Sequence, residues 1–385
     1  MNVRKLFLAI SSICALLALP ASAADPVRIG VLLPMTGATA SGGPPMRQGV
    51  DLALDAVGRK VAGREIQLFT EDDASDPVVA VDKARKLVEQ NKVDVVIGPL
   101  MSNAAAAVAS YLKSSGTPWM AVFDNSIDIM KVGSHVFQYT GTLYNMGYYA
   151  GTYAAEKGHK TASVIGSDYV AGNDYTEGFI DAFPAKGGNV IQRQRVPIGT
   201  MDFGPYITGM RKADVVAFWL LPPSPARFVK QYFDFGLEMP LVAISASNLE
   251  EPTLKDLGDR TVGIIGAAHW AQNDQTKINK EFMAAYEKKY GAGSRPRLHV
   301  MYSYPVMQVF LEAVKQTGGD TSRDKIAQAL QKVKAETPMG RVSFGADRVG
   351  ITDMYLLQVV KKGNFLTWDV VRKYPQVRGQ APTGR

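Results

Sequence analysis

The chain has 385 residues and a formal net charge of +7, a length that suits two domains of ordinary size. Lysines and arginines never run beyond two in a row and alternate with acids, which indicates a mixed, solvated surface and excludes a nucleic-acid-binding track. The one cysteine, Cys14, lies in a leader-like segment, so we expect no disulfide, thiol enzyme or cysteine-ligated metal in the mature chain.

Residues 1–23 are predicted to be a signal peptide. Two basic residues precede the apolar run Leu6–Leu19, which is too short to span a membrane stably, and the small residues at 21–23 fit a cleavage site. No later apolar run approaches the roughly 18 residues that a spanning helix needs. We therefore expect cleavage near Ala23 and a soluble protein exported to a bacterial periplasm or an extracellular space.

From residue 27 onward, the chain alternates short apolar runs with amphipathic segments. The apolar runs predict strands at Val27–Leu33, Ile66–Thr70, Val93–Ile97 and Trp119–Val122. The segments between them predict helices at Met46–Val57, at Val78–Gln90 and after Ser102. The second of these helices is expected to have Asp76 as its cap and Pro77 at its first position. This regular alternation predicts a parallel sheet with helices on both faces.

The same alternation starts again after a change near Gly141. Strands are predicted at Phe137–Thr140, Thr161–Ile165, Val190–Val196, Asp214–Leu220 and Leu241–Ile244, and helices at Leu143–Lys157, Tyr175–Lys186 and Arg227–Phe235. Beyond about Gly266 come helices at Lys277–Tyr290, Tyr302–Gln316 and Arg323–Val333, then strands near Arg341–Phe344, Tyr355–Val360 and Phe365–Val370. The pattern predicts two doubly wound α/β halves and a mixed final part.

The stretch 93–115 is the first candidate binding element. Its buried strand ends at a Gly-Pro pair, Ser102 and Asn103 stand where helix N-caps belong, and a run of alanines favours a helix. The free N–H groups at such a helix start, together with the Ser102 hydroxyl, form a carboxylate or phosphate site beyond the end of the strand. A capped helix that binds nothing is the alternative interpretation.

Four segments follow the leader in a fixed order: VRIGVLLPMTG, LFTEDDASDPVVAVDKARKLV, VDVVIGPLMSNAAAAVA and GSDYVAGNDYTEGF. The ordered set resembles the periplasmic Leu/Ile/Val-binding proteins, which are the type I solute-binding proteins of ABC importers. The resemblance covers essentially the whole mature chain. It implies an α/β fold of two doubly wound lobes joined by three crossovers, with the ligand bound between the lobes.

The resemblance also implies how the chain is divided. Crossovers are expected near Thr140-Gly141, Gly266-Ala267 and Gly345-Ala346. The N-terminal lobe would comprise residues 24–140 and 267–345, and the C-terminal lobe residues 141–266 and 346–385.

In the first lobe, the resemblance implies that a serine and a second hydroxyl-bearing residue hold the carboxylate of the ligand. Ser102 stands at the position of the serine. The second position follows the fourth strand, where Phe123 would contribute backbone or a ring face and either Asn125 or Ser126 would contribute the polar group.

In the second lobe, the chain departs from the family pattern of a tyrosine and an acid that grip an α-ammonium. Ala171 replaces the usual tyrosine before the glycine, and Tyr169 lies two residues earlier. The acid is expected within residues 244–248, where Ser247 and its neighbours offer hydroxyls and an amide without charge. Trp219 and Tyr304 are assigned as aromatic walls, with packing in the core as the alternative for each.

This departure bears on the ligand. An unpaired ammonium taken out of water costs several kcal/mol, so the sequence favours an aromatic or apolar organic acid over an amino acid. An acid elsewhere, such as Asp124 or Glu250, would restore the amino-acid ligand if it reached the site.

The implied function is that of a solute-binding component of an ABC importer, a monomer whose partners are a small carboxylate and an inner-membrane permease. No enzyme activity, catalytic residue, cofactor, metal or nucleic-acid partner is expected, because the four histidines are scattered and no G-x-S-x-G motif occurs. A ligand-sensing protein of the same fold that feeds a regulator is one alternative, and a secreted α/β hydrolase is the other.

Overall fold

The computed structural model describes residues 25–122 and 131–380 as an α/β protein with two β-sheets. The predicted signal peptide, residues 1–23, lies outside these residues. Within the two described stretches, no helix is both long enough and apolar enough to cross a membrane.

The first sheet is built from the amino-terminal strand–helix cycles. Its elements in chain order are β1 (Val27–Leu33), α1 (Gly43–Ala56), β2 (Lys60–Val61), β3 (Arg64–Asp72), α2 (Pro77–Arg85), β4 (Val95–Ile97), α3 (Ser102–Ser115), β5 (Trp119–Ala121) and β6 (Val136–Gln138). The strand order is β2-β3-β1-β4-β5-β6, and all neighbours except β2 and β3 pair in parallel. Strands β1 and β4 are almost wholly buried, as their apolar sequences, interrupted only by Arg28 in β1, predict.

The second sheet begins after residue 141 with the same alternation. Its elements are α4 (Leu143–Glu156), β7 (Thr161–Ser167), α5 (Val170–Ala185), β8 (Asn189–Val196), α6 (Gly204–Thr208), β9 (Val215–Trp219), α7 (Ser224–Asp234), β10 (Leu241–Ser245), α8 (Glu251–Leu257) and β11 (Ile265–Ala268). Strands β8, β7, β9, β10 and β11 lie side by side in parallel in that order. The second doubly wound half is thus confirmed.

The last third of the chain contributes to both halves. Its elements are α9 (Lys277–Tyr290), α10 (Tyr304–Gln316), α11 (Arg323–Lys332), β12 (Ala335–Thr337), β13 (Gly340–Phe344), β14 (Gly350–Lys362) and β15 (Phe365–Val377). Helices α9 and α10 pack on α1, beside the first sheet, whereas β14 pairs antiparallel with β11 and β15 pairs with β14. The chain therefore returns to complete both lobes of a type I binding-protein fold.

The connections between the lobes run close together. The first follows β6, the second follows β11, and the third joins β13 to β14. Gln138 forms a parallel bridge with Val349, and the N–H of Gly350 donates to the carbonyl of Thr140 at 3.2 Å, so the first and third connections are joined. Strand β11 runs through the predicted boundary at 266–267, and the division of the lobes at those residues stays a prediction.

The start of α2 confirms the capping prediction made for it. One carboxylate oxygen of Asp76 accepts from the N–H of Val78 at 2.7 Å and from that of Val79 at 3.0 Å. Pro77 occupies the first helical position, where its missing N–H leaves no hydrogen bond unmade.

The caps predicted for α3 are wrong. Met101 occupies the N-cap position with an extended backbone, and Ser102 and Asn103 are the first two residues of the helix. Burial of the apolar Leu100 and Met101 side chains keeps the chain extended up to that point. The Oδ1 atom of Asn103 accepts from the N–H of Ala104 at 2.9 Å, inside the first turn.

Helices α4 and α5 approach closely because glycines face each other. A Cβ atom at Gly147 would lie 2.0 Å from the carbonyl oxygen of Tyr175, and one at Gly178 would lie 2.1 Å from that of Tyr144. Only glycine permits such an approach of one backbone to another. The contact fixes α5, whose first turns carry aromatic residues of the candidate site.

Candidate functional site

The candidate site lies between the carboxyl ends of the two sets of parallel strands. Helix α3 follows β4 of the first sheet, α5 follows β7 of the second, and the two helices approach each other. Open α/β sheets bind their ligands beyond the carboxyl ends of their strands. The geometry thus places two helix starts, one from each lobe, at the position where this fold binds ligands.

Ser102 is the predicted carboxylate-binding residue of the first lobe. It is the first residue of α3 and is buried, with 3% of its surface exposed. The positive end of the helix dipole favours an anion near this side chain, although Ser102 is not the cap. Its predicted companions Phe123, Asn125 and Ser126 lie outside the described residues, so their roles stay predictions.

An aromatic group on the second lobe brings two predicted residues together. Trp219 ends β9, and its ring lies 5.8 Å from that of Tyr169, the N-cap residue of α5. Trp219 also stacks on Tyr175, with 4.4 Å between the ring centroids and 15° between the ring planes. Trp219 is 3% exposed, whereas Tyr169 is only partly buried. Trp219 is therefore both a packed residue and the neighbour of the more accessible Tyr169.

The polar residues after β10 are mostly engaged in the fold. The Oγ atoms of Ser245 and Ser247 lie 2.8 Å apart. Asn248 accepts from the N–H of Leu220 at 2.9 Å and donates to its carbonyl at 3.1 Å, which joins this loop to the end of β9. The two serine hydroxyls share one hydrogen bond, so one of their protons remains available to a ligand.

Ser247 lines a small cavity to which both lobes contribute. The cavity has a volume of about 20 Å³, room for roughly one water molecule. Trp270, which follows β11, and Met301 and Tyr302 of the segment packed on α1 line it as well. The space is narrow, aromatic and sulfur-rich, with hydroxyls on one wall.

Tyr304, predicted as an aromatic wall, has its ring packed within the fold. Its ring packs on that of Phe282 with 4.7 Å between the centroids, and 7% of the residue is exposed. Burial raises the pKa of its hydroxyl to about 12. Tyr304 thus contributes to the packing of α9 against α10, and Tyr302, two residues earlier, is the tyrosine that lines the cavity.

Glu250 follows the loop after β10 and is bound by two cationic or ionisable side chains. Its Oε2 atom accepts from Nε of Arg297 at 2.6 Å, and its Oε1 atom lies 2.9 Å from Nδ1 of His299. A second donor of Arg297 reaches the carbonyl oxygen of Ser41, in the loop between β1 and α1, at 3.0 Å. Both carboxylate oxygens of Glu250 are therefore engaged.

This cluster of Glu250, Arg297 and His299 connects the two lobes. Glu250 is the N-cap residue of α8, beside the second sheet, while the segment that begins at Arg297 packs on α1 beside the first. Burial of Glu250, which is 5% exposed, would raise its pKa, but His299 and Arg297 lower it to about 2. The carboxylate is thus charged at neutral pH and is neutralised by the other lobe.

A larger groove of about 930 Å³ lies beside α8 and the turn between β14 and β15. Four of its charged side chains form two ion pairs, Arg295 with Glu251 at 3.4 Å and Lys361 with Asp259 at 2.5 Å.

The fold and the site agree with a comparison of the sequence with known families. A model of a family described as periplasmic binding protein matches residues 26–364. The chain belongs to the periplasmic binding protein family. This match confirms the family that the four ordered segments predict, and it agrees with the two-lobed fold.

This periplasmic binding protein is similar to Leu/Ile/Val-binding protein homolog 6 of Brucella suis biovar 1, with 27% identity over 352 residues that cover 90% of each chain. Among solved structures, it is similar to an ABC-transporter solute-binding protein from Rhodopseudomonas palustris BisB5 in complex with 3,4-dihydroxybenzoic acid. The two sequences are 27% identical, the TM-score is 0.85, and the match covers 92% of this chain and 98% of that one. A solute-binding protein from R. palustris in complex with 4-hydroxybenzoate gives the same identity, TM-score and coverage.

Several residues at the site of this periplasmic binding protein were missed by sequence reasoning. They are Tyr175, Arg297, His299 and Tyr302. Helix α5 starts at Val170, five residues before the predicted start, which places Tyr175 in its second turn. The other three lie within seven residues of the predicted Tyr304, and no local pattern marks them.

Proposed function

We propose that this periplasmic binding protein captures a small aromatic carboxylate between its lobes and delivers it to an inner-membrane ABC permease. The residues proposed to contact the ligand are Ser102, Phe123, Asn125, Ser126, Tyr169, Trp219 and Ser247. Tyr304 is retained as an aromatic wall whose ring also packs on Phe282, and Tyr302, which lines the small cavity, is added to the set.

The observation that carries this proposal is the pairing of Glu250. It is the acid that follows the loop where the family places the residue that binds an α-ammonium. Both of its oxygens are bound by Arg297 and His299, so an ammonium at Ser245–Asn248 would meet neutral groups. Such an ammonium would lose its hydration without gaining a charged partner.

The solved structures support the same ligand class, since two similar proteins hold hydroxylated benzoates. The Leu/Ile/Val-binding relatives favour a second candidate, a branched-chain amino acid. We further propose that residues 1–23 are removed near Ala23, that the monomer acts in the periplasm, and that it closes with residues 24–140 and 267–345 against the rest.

Direct titration decides between the two ligand classes. We expect benzoate and 4-hydroxybenzoate to bind, and leucine, isoleucine and valine to bind at least about a hundredfold more weakly, since an unpaired ammonium costs several kcal/mol. A matched pair isolates the ammonium: 3-phenylpropionate should bind more tightly than phenylalanine, from which it differs only by that group. Isothermal titration calorimetry gives each Kd. Submicromolar binding of leucine together with inert aromatic acids would overturn the proposal.

Replacing Ser102 with alanine should weaken ligand binding without unfolding the protein. A charge-assisted hydrogen bond is worth roughly 1.5–3 kcal/mol, so the Kd of an aromatic acid should rise about tenfold to a hundredfold. Ser110→Ala is the matched control, because Ser110 is exposed on the same helix. Calorimetry measures both affinities, and thermal melting without ligand checks the fold. An unchanged Kd for Ser102→Ala would remove this residue from the site.

A further inference from the structure

The four tryptophans of the chain differ in whether the indole N–H has a hydrogen-bond acceptor. All four are nearly fully buried, and three donate their indole N–H to a protein oxygen: Trp119 to the carbonyl of Gly98 at 2.5 Å, Trp270 to Oδ1 of Asn279 at 2.7 Å, and Trp368 to the carbonyl of Leu249 at 2.9 Å. The Nε1 atom of Trp219 is equally buried and has no acceptor within residues 25–122 and 131–380.

An indole N–H without an acceptor is costly in a protein interior. A buried donor left unpaired loses about 1–3 kcal/mol of hydration free energy, and buried indoles therefore nearly always find a partner. The other three tryptophans show that this fold can supply such partners. The exception at Trp219 lies at the carboxyl end of β9, on the edge of the sheet that faces the candidate site.

The indole ring is held in place on several sides. It stacks on Tyr175 and contacts Tyr169. The chain beyond it is fixed too, because the N–H of Leu220 donates to Asn248 at 2.9 Å and the N–H of Leu221 donates to Oγ of Ser167 at 3.0 Å. The ring therefore has little freedom to reach an acceptor elsewhere, which leaves the N–H preorganised for an acceptor that arrives from outside.

We propose that the indole N–H of Trp219 donates a hydrogen bond to a second oxygen of the ligand. This inference rests on the proposed function and narrows its ligand class. Ser102 stands at the start of α3 in one lobe and Trp219 at the end of β9 in the other. The ligand is then an aromatic acid with an oxygen acceptor, such as a ring hydroxyl, across the ring from its carboxylate. An indole only donates, so a methyl group at that position leaves it unpaired.

A cycle of two proteins and two ligands tests the hydrogen bond. The proteins are the wild type and Trp219→Phe, which keeps a ring and removes the N–H. The ligands are 4-hydroxybenzoate and 4-methylbenzoate, which are similar in size and differ in the acceptor. We expect the wild type to prefer the hydroxylated acid by about tenfold and the variant to bind both within about twofold. The matched control Trp368→Phe, in the same sheet, should keep the preference.

The outcomes separate the two proposals. Loss of the preference in Trp219→Phe alone supports the hydrogen bond. An equal weakening for both ligands would show that Trp219 only packs, which overturns this inference and leaves the aromatic-acid ligand standing. Failure of the wild type to bind either acid would overturn both.

A second measurement covers a variant that fails to fold. In the ¹H–¹⁵N spectrum of the wild type, 4-hydroxybenzoate should shift one of the four indole cross-peaks far more than 4-methylbenzoate does. Equal shifts with both acids, or no indole shift, would contradict the hydrogen bond.

Discussion

Replacing Arg297 with alanine is expected to lower the free energy of unfolding by about 3 kcal/mol, the lower end of the range for breaking a buried ion pair. Glu250 is 5% exposed and would keep only His299 as a partner, so its charge would be poorly compensated in the interior. The loss should appear in urea unfolding of the ligand-free protein as a lower midpoint with an unchanged slope.

Arg295→Ala is the matched control for this prediction. Arg295 lies two residues away and pairs with Glu251 at 3.4 Å, but both side chains are more exposed, at 37% and 23%. Exposed pairs contribute about 0–1 kcal/mol, so this variant should unfold close to the wild type. Equal losses of unfolding free energy in the two variants would show that the Arg297–Glu250 ion pair contributes no more stability than an exposed pair.

Acidification should remove stability through the same carboxylate. The pKa of Glu250 is about 2 in the folded protein, below its ordinary value of 4.5. A carboxyl group with a lowered folded-state pKa stabilises the protein above the unfolded-state value, and that stabilisation is lost as the pH falls toward the folded-state value. We therefore expect about 3 kcal/mol of the unfolding free energy to disappear between roughly pH 4.5 and pH 2.

Glu250→Gln identifies the source of this pH dependence. The variant lacks the titrating group, so its unfolding free energy should fall less steeply than that of the wild type over the same pH range. Urea unfolding at pH 7, 4.5 and 3 gives the two profiles, and the other carboxylates contribute equally to both. Parallel profiles would assign the acid sensitivity to other groups.

The strand–helix cycles could be predicted from the sequence because they depend on local patterns. Strand β1 has the predicted bounds, and Asp76 and Pro77 start α2 as expected. Strands β14 and β15 are longer than predicted, 13 residues each. They pair with each other as an antiparallel hairpin, which tolerates polar residues that obscure the apolar pattern.

The candidate site was less predictable, since its contacts join distant parts of the chain. Ser102 could be proposed from the helix start, but the buried Met101 took the cap position. The partners of Glu250 lie almost fifty residues away, at Arg297 and His299, and no spacing rule links them. The lack of an acceptor for the indole N–H of Trp219 could not be predicted either, because it depends on the positions of all the neighbouring atoms.

The four tryptophans also give the protein an optical property. Three indoles have fixed hydrogen-bond partners within the fold, so their N–H groups keep the same acceptors when a ligand enters between the lobes. Trp219 lies beside Tyr169 with an unshared N–H, so an aromatic ligand that accepts from it alters the emission of this indole. Ligand capture is then visible as a change in ultraviolet emission, and the unlabelled protein is its own sensor.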